Sequence, residues 1–138
     1  MILSFKEQFE RPIIHGTKIH TIRKDKHDRW RIGQNIHFAT GTRTKKYKQF
    51  MVGKCKSVQY ILLVNHGNHI YCKIEVSPNK YVHSDCTTFE NNQSILLLVN
   101  QVASNDGLNV IEFKKWFIPE DGDKFEGKII HWTDFKYQ

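Results

Sequence analysis

Long apolar runs are missing from this sequence. The longest, I-L-L-V at 61–64 and I-L-L-L-V at 95–99, fall far short of the roughly 20 residues that a membrane-spanning helix needs, so no membrane partner is expected. Cysteine is scarce as well. Cys55, Cys72 and Cys86 are odd in number, widely spaced and without a C-x-x-C, which argues against a disulfide framework and a zinc site alike. They read as reduced thiols of a cytoplasmic protein. The opening M-I-L-S-F gives way at once to Lys6, Glu7 and Gln8, too short an apolar stretch for a signal peptide. His66 and His69 share a turn but lack a third donor nearby, so neither a metal nor another cofactor is expected. Repeats and low-complexity linkers are lacking too. With 138 residues and 39% hydrophobic content, the chain reads as a single domain, 1–138.

Acidic residues are few in the first part of the chain. Residues 1–60 hold fourteen of the 21 Lys and Arg but only four of the 14 Asp and Glu, whereas residues 61–138 hold seven and ten. The net charge of +7 is therefore concentrated, and such asymmetry suggests one basic surface that meets a polyanion. Aromatic side chains are interleaved with the charge, in Arg29-Trp30-Arg31 and in Arg43-Thr44-Lys45-Lys46-Tyr47-Lys48. Bases stack on exposed Trp and Tyr for roughly 1–3 kcal/mol each, while Arg and Lys neutralise phosphates. On these grounds the candidate RNA- or ligand-binding residues are Lys24, Arg29, Trp30, Arg31, Arg43, Lys45, Lys46 and Tyr47. Trp30 has an alternative role as a core lid, and Trp116 and Trp132 read as core.

Strands are predicted at 2–5, 18–23, 35–40, 49–64, 69–76 and 127–137, with a short one at 80–83. Gly67 between asparagines predicts a tight turn at 65–68. E-R-P-I-I-H-G at 10–16 predicts one helical turn with Pro12 at its first position and Gly16 as its stop. Ile95, Leu98, Val99 and Val102 predict an amphipathic helix that stops near Gly107. Asn109 then caps a second helix with Val110, Phe113, Trp116 and Phe117 on one face. The expected fold is α+β: a small mixed β-barrel of five to seven strands with two or three helices.

Gly16, Lys18 and Arg23 form a G-x-K-x-x-x-x-R pattern, followed by the strand Gly33-Gln34-Asn35-Ile36-His37-Phe38. Together with A-S-N-D-G-L at 103–108 and I-I-H-W-T-D at 129–134, this resembles the ASCH family of the PUA-like superfamily. The resemblance implies a small β-barrel and, as in many PUA-like proteins, RNA binding, with Lys18 and Arg23 as further candidate RNA- or ligand-binding residues. The glutamate common in the family between its lysine and arginine is replaced here by Thr21. K-x-x-T-I-R is similar to the N4-acetylcytidine amidohydrolase branch, which uses a lysine, a threonine and a downstream glutamate. Lys18 and Thr21 match the first two, and Asp106 is the candidate for the acid, one methylene shorter.

The implied chemistry makes physical sense. Amide hydrolysis needs a nucleophile or activated water, a proton acceptor and positive charge where the oxyanion develops. A threonine hydroxyl is inert without a base, and a lysine whose pKa is lowered by burial or a neighbouring cation can serve. Alternation on a regular strand would put Thr21 and Arg23 on one face and Lys18 on the other. Lys18 joins them only if the strand begins after it, with Gly16 and Thr17 forming a redirecting turn. The reading is an RNA- or nucleoside-binding domain with a basic cleft; the alternative is an amidohydrolase acting on N4-acetylcytidine through Lys18, Thr21 and Asp106.

Overall fold

Alternating apolar residues build most of the secondary structure. The computed structural model describes residues 1–67, 69–87 and 93–138, with the backbone alone at 84–87 and 93–97. The elements run β1 (Ile2–Phe5), a 3₁₀ turn (Glu7–Phe9), α1 (Glu10–His15), β2 (His20–Arg23), β3 (Asn35–Thr40), β4 (Lys48–Lys54) and β5 (Ser57–Asn65). They continue with β6 (His69–Ser77), β7 (Lys80–Thr87), α2 (Gln93–Asn105), α3 (Val110–Phe117) and β8 (Lys124–His131). The architecture is α+β, with eight strands in two sheets and three α-helices among the described residues.

Eight strands exceed the five to seven expected, because the apolar stretch 49–64 is two strands. Cys55 and Lys56 interrupt it: Cys55 exchanges backbone hydrogen bonds with Gly33 and Gln34, while Lys56 donates to His131. β4 thereby stays in a three-stranded sheet, β1-β3-β4, and β5 enters a five-stranded one, β2-β8-β5-β6-β7. Alternation continues through both strands, so hydropathy alone could not reveal the switch. Within the smaller sheet β1 and β3 are parallel, with Leu3 opposite Phe38; every other pairing among the described residues is antiparallel. The last strand ends at His131 and is followed by bends, short of the predicted 137.

One core cluster draws on both sheets and the helices. Leu3, Phe5 and Phe38 from the smaller sheet meet Ile22, Ile61, Leu63, Ile74 and Ile129 from the larger, with Val102 and Phe113 from α2 and α3. Each fully buried aliphatic or aromatic side chain contributes about 1.5–3 kcal/mol.

Local signals set the helix ends. Pro12 falls at the third position of α1, still within its first turn, where a missing N–H breaks no helical bond. Asn109 and Glu112 cap α3 reciprocally: the Glu112 N–H donates to Asn109 Oδ1, and the Asn109 N–H donates to Glu112 Oε1. At the β5–β6 turn the Gly67 N–H donates to Asn65 Oδ1; Asn68, predicted within that turn, lies outside the described residues.

Candidate functional site

The site begins where α1 ends. Gly16 adopts φ 81°, a left-handed conformation that suits glycine, and its N–H donates to Ile13 O and Pro12 O. The N–H groups of Thr17 and Lys18 also donate to Pro12 O, and that of Ile19 to Asn105 O at the end of α2. β2 starts only at His20, so Lys18 lies outside its alternation and turns toward the cleft that Thr21 and Arg23 line.

That cleft has a volume of about 320 Å³. Lys18, Thr21, Arg23 and Asp106 line it, with Ser4 and Phe5 from β1, Phe9 from the 3₁₀ turn, and Trp116 and Phe117 from α3. Lys18 is only 2% exposed, and Asp106 is also buried. Lys18 Nζ donates to Asp106 Oδ1 at 3.0 Å and to the Asp106 carbonyl at 2.6 Å. This carbonyl lies just past the C-terminus of α2, where the helix dipole favours a cation. The rings of Phe9 and Phe5 approach the ammonium at 4.7 and 5.7 Å, both within cation–π range. Burial pulls the Lys18 pKa below the ordinary 10.5, Asp106 opposes the shift through its charge and hydrogen bond, and Arg23 adds to the lowering.

Thr21 is buried, and its Oγ1 accepts from Arg23 Nε at 3.3 Å. Arg23 Nη2 donates to Ser4 O, and the guanidinium lies 5.1 Å from the Phe5 ring. Arg23 therefore ties β2 to β1, one strand from each sheet. Its Nη1 makes no hydrogen bond among the described residues and remains a donor for a ligand. The hydrogen-bond acceptors of Lys18 Nζ among the described residues both belong to Asp106, so Lys18 and Thr21 line one cleft without being hydrogen-bonded. Trp116 stands at the rim, 44% exposed, edge-on to Phe9 at 5.6 Å and under the Lys6 ammonium at 4.9 Å.

A buried polar layer lies behind Asp106. His20 Nε2 is 2.7 Å from the Tyr137 hydroxyl, which also accepts from Asn105 Nδ2 at 3.1 Å. His131, directly opposite His20 in the β2–β8 ladder, pairs its Nε2 with Gln59 Oε1 at 2.9 Å. His20 Nδ1 lies 3.5 Å from Asp106 Oδ1, a contact of proximity without hydrogen-bond geometry. Burial lowers the pKa of both histidines, that of His131 to about 3, so both are neutral at pH 7.

The other basic candidates occupy different concavities. Lys24 lines a cavity of about 380 Å³ with Asp25, Lys26, Tyr60, Lys124 and Lys128. Asp25 organises this loop by accepting the N–H groups of Arg29 and Trp30, which leaves Arg29 and Arg31 exposed. Trp30 is 7% exposed and packs in the core cluster, and its remaining surface lines a separate cavity with Ile32, Gln59 and Lys136. Lys46 lines a groove with Glu7, Glu10, Arg11 and Lys48, while Arg43, Lys45 and Tyr47 are exposed on the 41–47 loop.

Sequence reasoning missed the aromatic walls. Phe5 and Phe9 carried no chemical signal, and helical periodicity assigned Trp116 to the core, although it stands at the cleft rim. His20, His131 and Tyr137 gave only the pattern of alternating strand residues. Among the described residues no group of three His, Cys, Asp or Glu is placed to hold a metal, and no helix is long and apolar enough to cross a membrane. No family model, curated protein or solved structure matches the chain.

Proposed function

We propose that this protein is an ASCH-like domain that binds a nucleoside, free or as an unstacked base of RNA, in the cleft between β1, β2 and α3. One observation carries the reading: Lys18, Thr21, Arg23 and Asp106 line the same aromatic-walled cleft. A recessed cavity with apolar walls and a few convergent polar groups suits a planar, hydrogen-bonding ligand. Phe9 and Trp116 supply ring faces and edges, and Arg23 Nη1 supplies a donor for a base carbonyl or phosphate. On this reading the two sheets are parts of a small PUA-like barrel, in a single-domain cytoplasmic protein. The basic loops at 24–31 and 43–48 would hold the flanking phosphates of an RNA strand.

Hydrolysis of N4-acetylcytidine is a second reading, favoured by the shared placement of Lys18, Thr21 and Asp106 in that cleft. Thr21 Oγ would attack the acetyl carbonyl, the cytidine amine would leave with a proton, and water would release acetate from the acyl-threonine. Arg23 Nε already donates to the Thr21 oxygen and would stabilise its alkoxide character. Lys18 would have to turn from Asp106 to accept the Thr21 proton, which the burial-lowered pKa assists.

Calorimetric titration of the protein with cytidine, N4-acetylcytidine and a single-stranded RNA oligonucleotide, together with an assay for released acetate, tests both readings. Saturable binding of a nucleoside that weakens in Arg23→Lys is expected. Absence of binding by all three ligands at millimolar concentration would refute the cleft reading, and binding without acetate release would remove the hydrolase.

A further inference from the structure

Among the described residues, the layer behind the cleft holds a buried ring nitrogen, His20 Nδ1, without a hydrogen-bond partner. Tyr137 Oη accepts from Asn105 Nδ2, which leaves its own proton for His20 Nε2 at 2.7 Å. A ring nitrogen that accepts carries no hydrogen, so the single proton of a neutral His20 resides on Nδ1. Nδ1 faces Asp106 Oδ1 at 3.5 Å, and the residue is 0% exposed. The carboxylate favours the same tautomer, since a bare Nδ1 would set a lone pair against its negative charge. His131 is held oppositely: Gln59 Nε2 donates to the carbonyls of Glu75 and Tyr137, which turns Gln59 Oε1 toward His131 Nε2 and makes that nitrogen the donor.

Buried N–H groups nearly always find acceptors, so a poorly satisfied one beside a carboxylate calls for an explanation. The same oxygen, Asp106 Oδ1, is held by Lys18 at 3.0 Å. Any ligand that draws the ammonium away strips the carboxylate of its ion pair inside the protein. A shift of about half an ångström would then bring Oδ1 into hydrogen-bond range of His20 Nδ1.

We propose that His20 is a positioning residue of the cleft: fixed by Tyr137 with its proton on Nδ1, it receives the Asp106 carboxylate when Lys18 turns to a ligand. Lys18 can then leave its partner while the buried carboxylate keeps a hydrogen-bond donor. The tautomer rests on the hydrogen-bond geometry together with the neutral state of His20, whereas the hand-over rests on the cleft reading given above.

Two measurements on the full chain test it. Long-range ¹⁵N–¹H NMR of histidine-labelled protein should show His20 neutral with hydrogen on Nδ1, and His131 with hydrogen on Nε2. In Tyr137→Phe, His20 should lose this fixed tautomer. Calorimetry with cytidine should show about a tenfold loss of affinity in His20→Leu, the factor set by one hydrogen bond to a charged group. His20→Asn, whose amide nitrogen stands near the position of Nδ1, should recover most of it. If His20→Leu fails to fold, Tyr137→Phe carries the affinity comparison, with the same loss expected. A proton on His20 Nε2 in the wild type, or no loss of affinity in the variant measured, overturns the proposal. A wild type that binds no cytidine defeats the cleft reading instead, and the NMR tautomer remains a separate result.

Discussion

Removing the Asp106 carboxylate should expose the energetic balance of the cleft. In Asp106→Ala, Lys18 retains the backbone carbonyl of residue 106 and two aromatic faces but loses its counter-ion. Breaking a buried pair on one side costs about 3–5 kcal/mol when the remaining charge cannot escape. Lys18 can escape by losing its proton, because burial already favours the neutral amine, so a loss of about 3 kcal/mol at pH 7 is expected. For a domain of this size that corresponds to a melting temperature lower by on the order of 10 °C.

The pH dependence has a definite sign. The native pKa of Lys18 lies below the ordinary 10.5, so between the two values the unfolded chain binds more protons and stability rises with pH. Asp106 raises the native pKa; without it the native value falls further, and the window of rising stability extends to lower pH. Urea unfolding of wild type and Asp106→Ala at pH 7 and at successively more alkaline values should therefore show the variant's deficit shrinking as pH rises. Lys18→Met combined with Asp106→Ala should recover much of the loss at pH 7. A deficit under about 1 kcal/mol that is independent of pH would refute a buried, charge-dependent pair.

Gly107→Ala should cost about 1–2 kcal/mol in thermal or urea unfolding, because φ is 86° there and a Cβ would stand 3.2 Å from both Lys18 Cδ and Phe9 Cδ1. Nucleoside affinity should fall with it. Arg23→Ala should lower stability by about 1–2 kcal/mol through its lost bond between the sheets and should weaken binding, with Arg23→Lys restoring only part; calorimetry and melting curves separate the two effects. The paired change Lys45→Glu and Lys46→Glu should weaken RNA binding and flatten its salt dependence while leaving cytidine affinity unchanged, since neither residue lines the cleft. Trp116 emission should change on cytidine binding, and Trp116→Leu should remove the part of the signal that comes from the rim.

The legible parts of the sequence were those governed by short-range chemistry. Gly16, Asn109 with Glu112, and the stop near Gly107 announce helix ends through requirements that any chain shares. Lys18, Thr21 and Asp106 stand out in the sequence only through the family resemblance, and the late start of β2 supplies the turn that the lysine needs. Partner choice was hidden. Nothing local in Q-F-M-V-G-K-C-K-S-V tells the chain to leave one sheet for another, because the decision rests on Gly33, Gln34 and His131, far away in sequence. Periodicity likewise assigned Trp116 to the same face as Phe113; the neighbours of α3 decide which part of that face is covered.

The route of the chain between its sheets has a consequence for how the molecule comes apart. β1 belongs to the smaller sheet, β2 to the larger, β3 and β4 to the smaller again, and β5 to β8 to the larger. Neither sheet is a continuous stretch of chain, so neither can dissolve while the loops crossing to the other remain in place. The parallel β1–β3 pair closes only after β2 has been threaded between them in sequence, a non-local step that slows folding. Unfolding should consequently be all-or-none, with amide protons in both sheets exchanging at one common rate limit and with no half-structured species to collect.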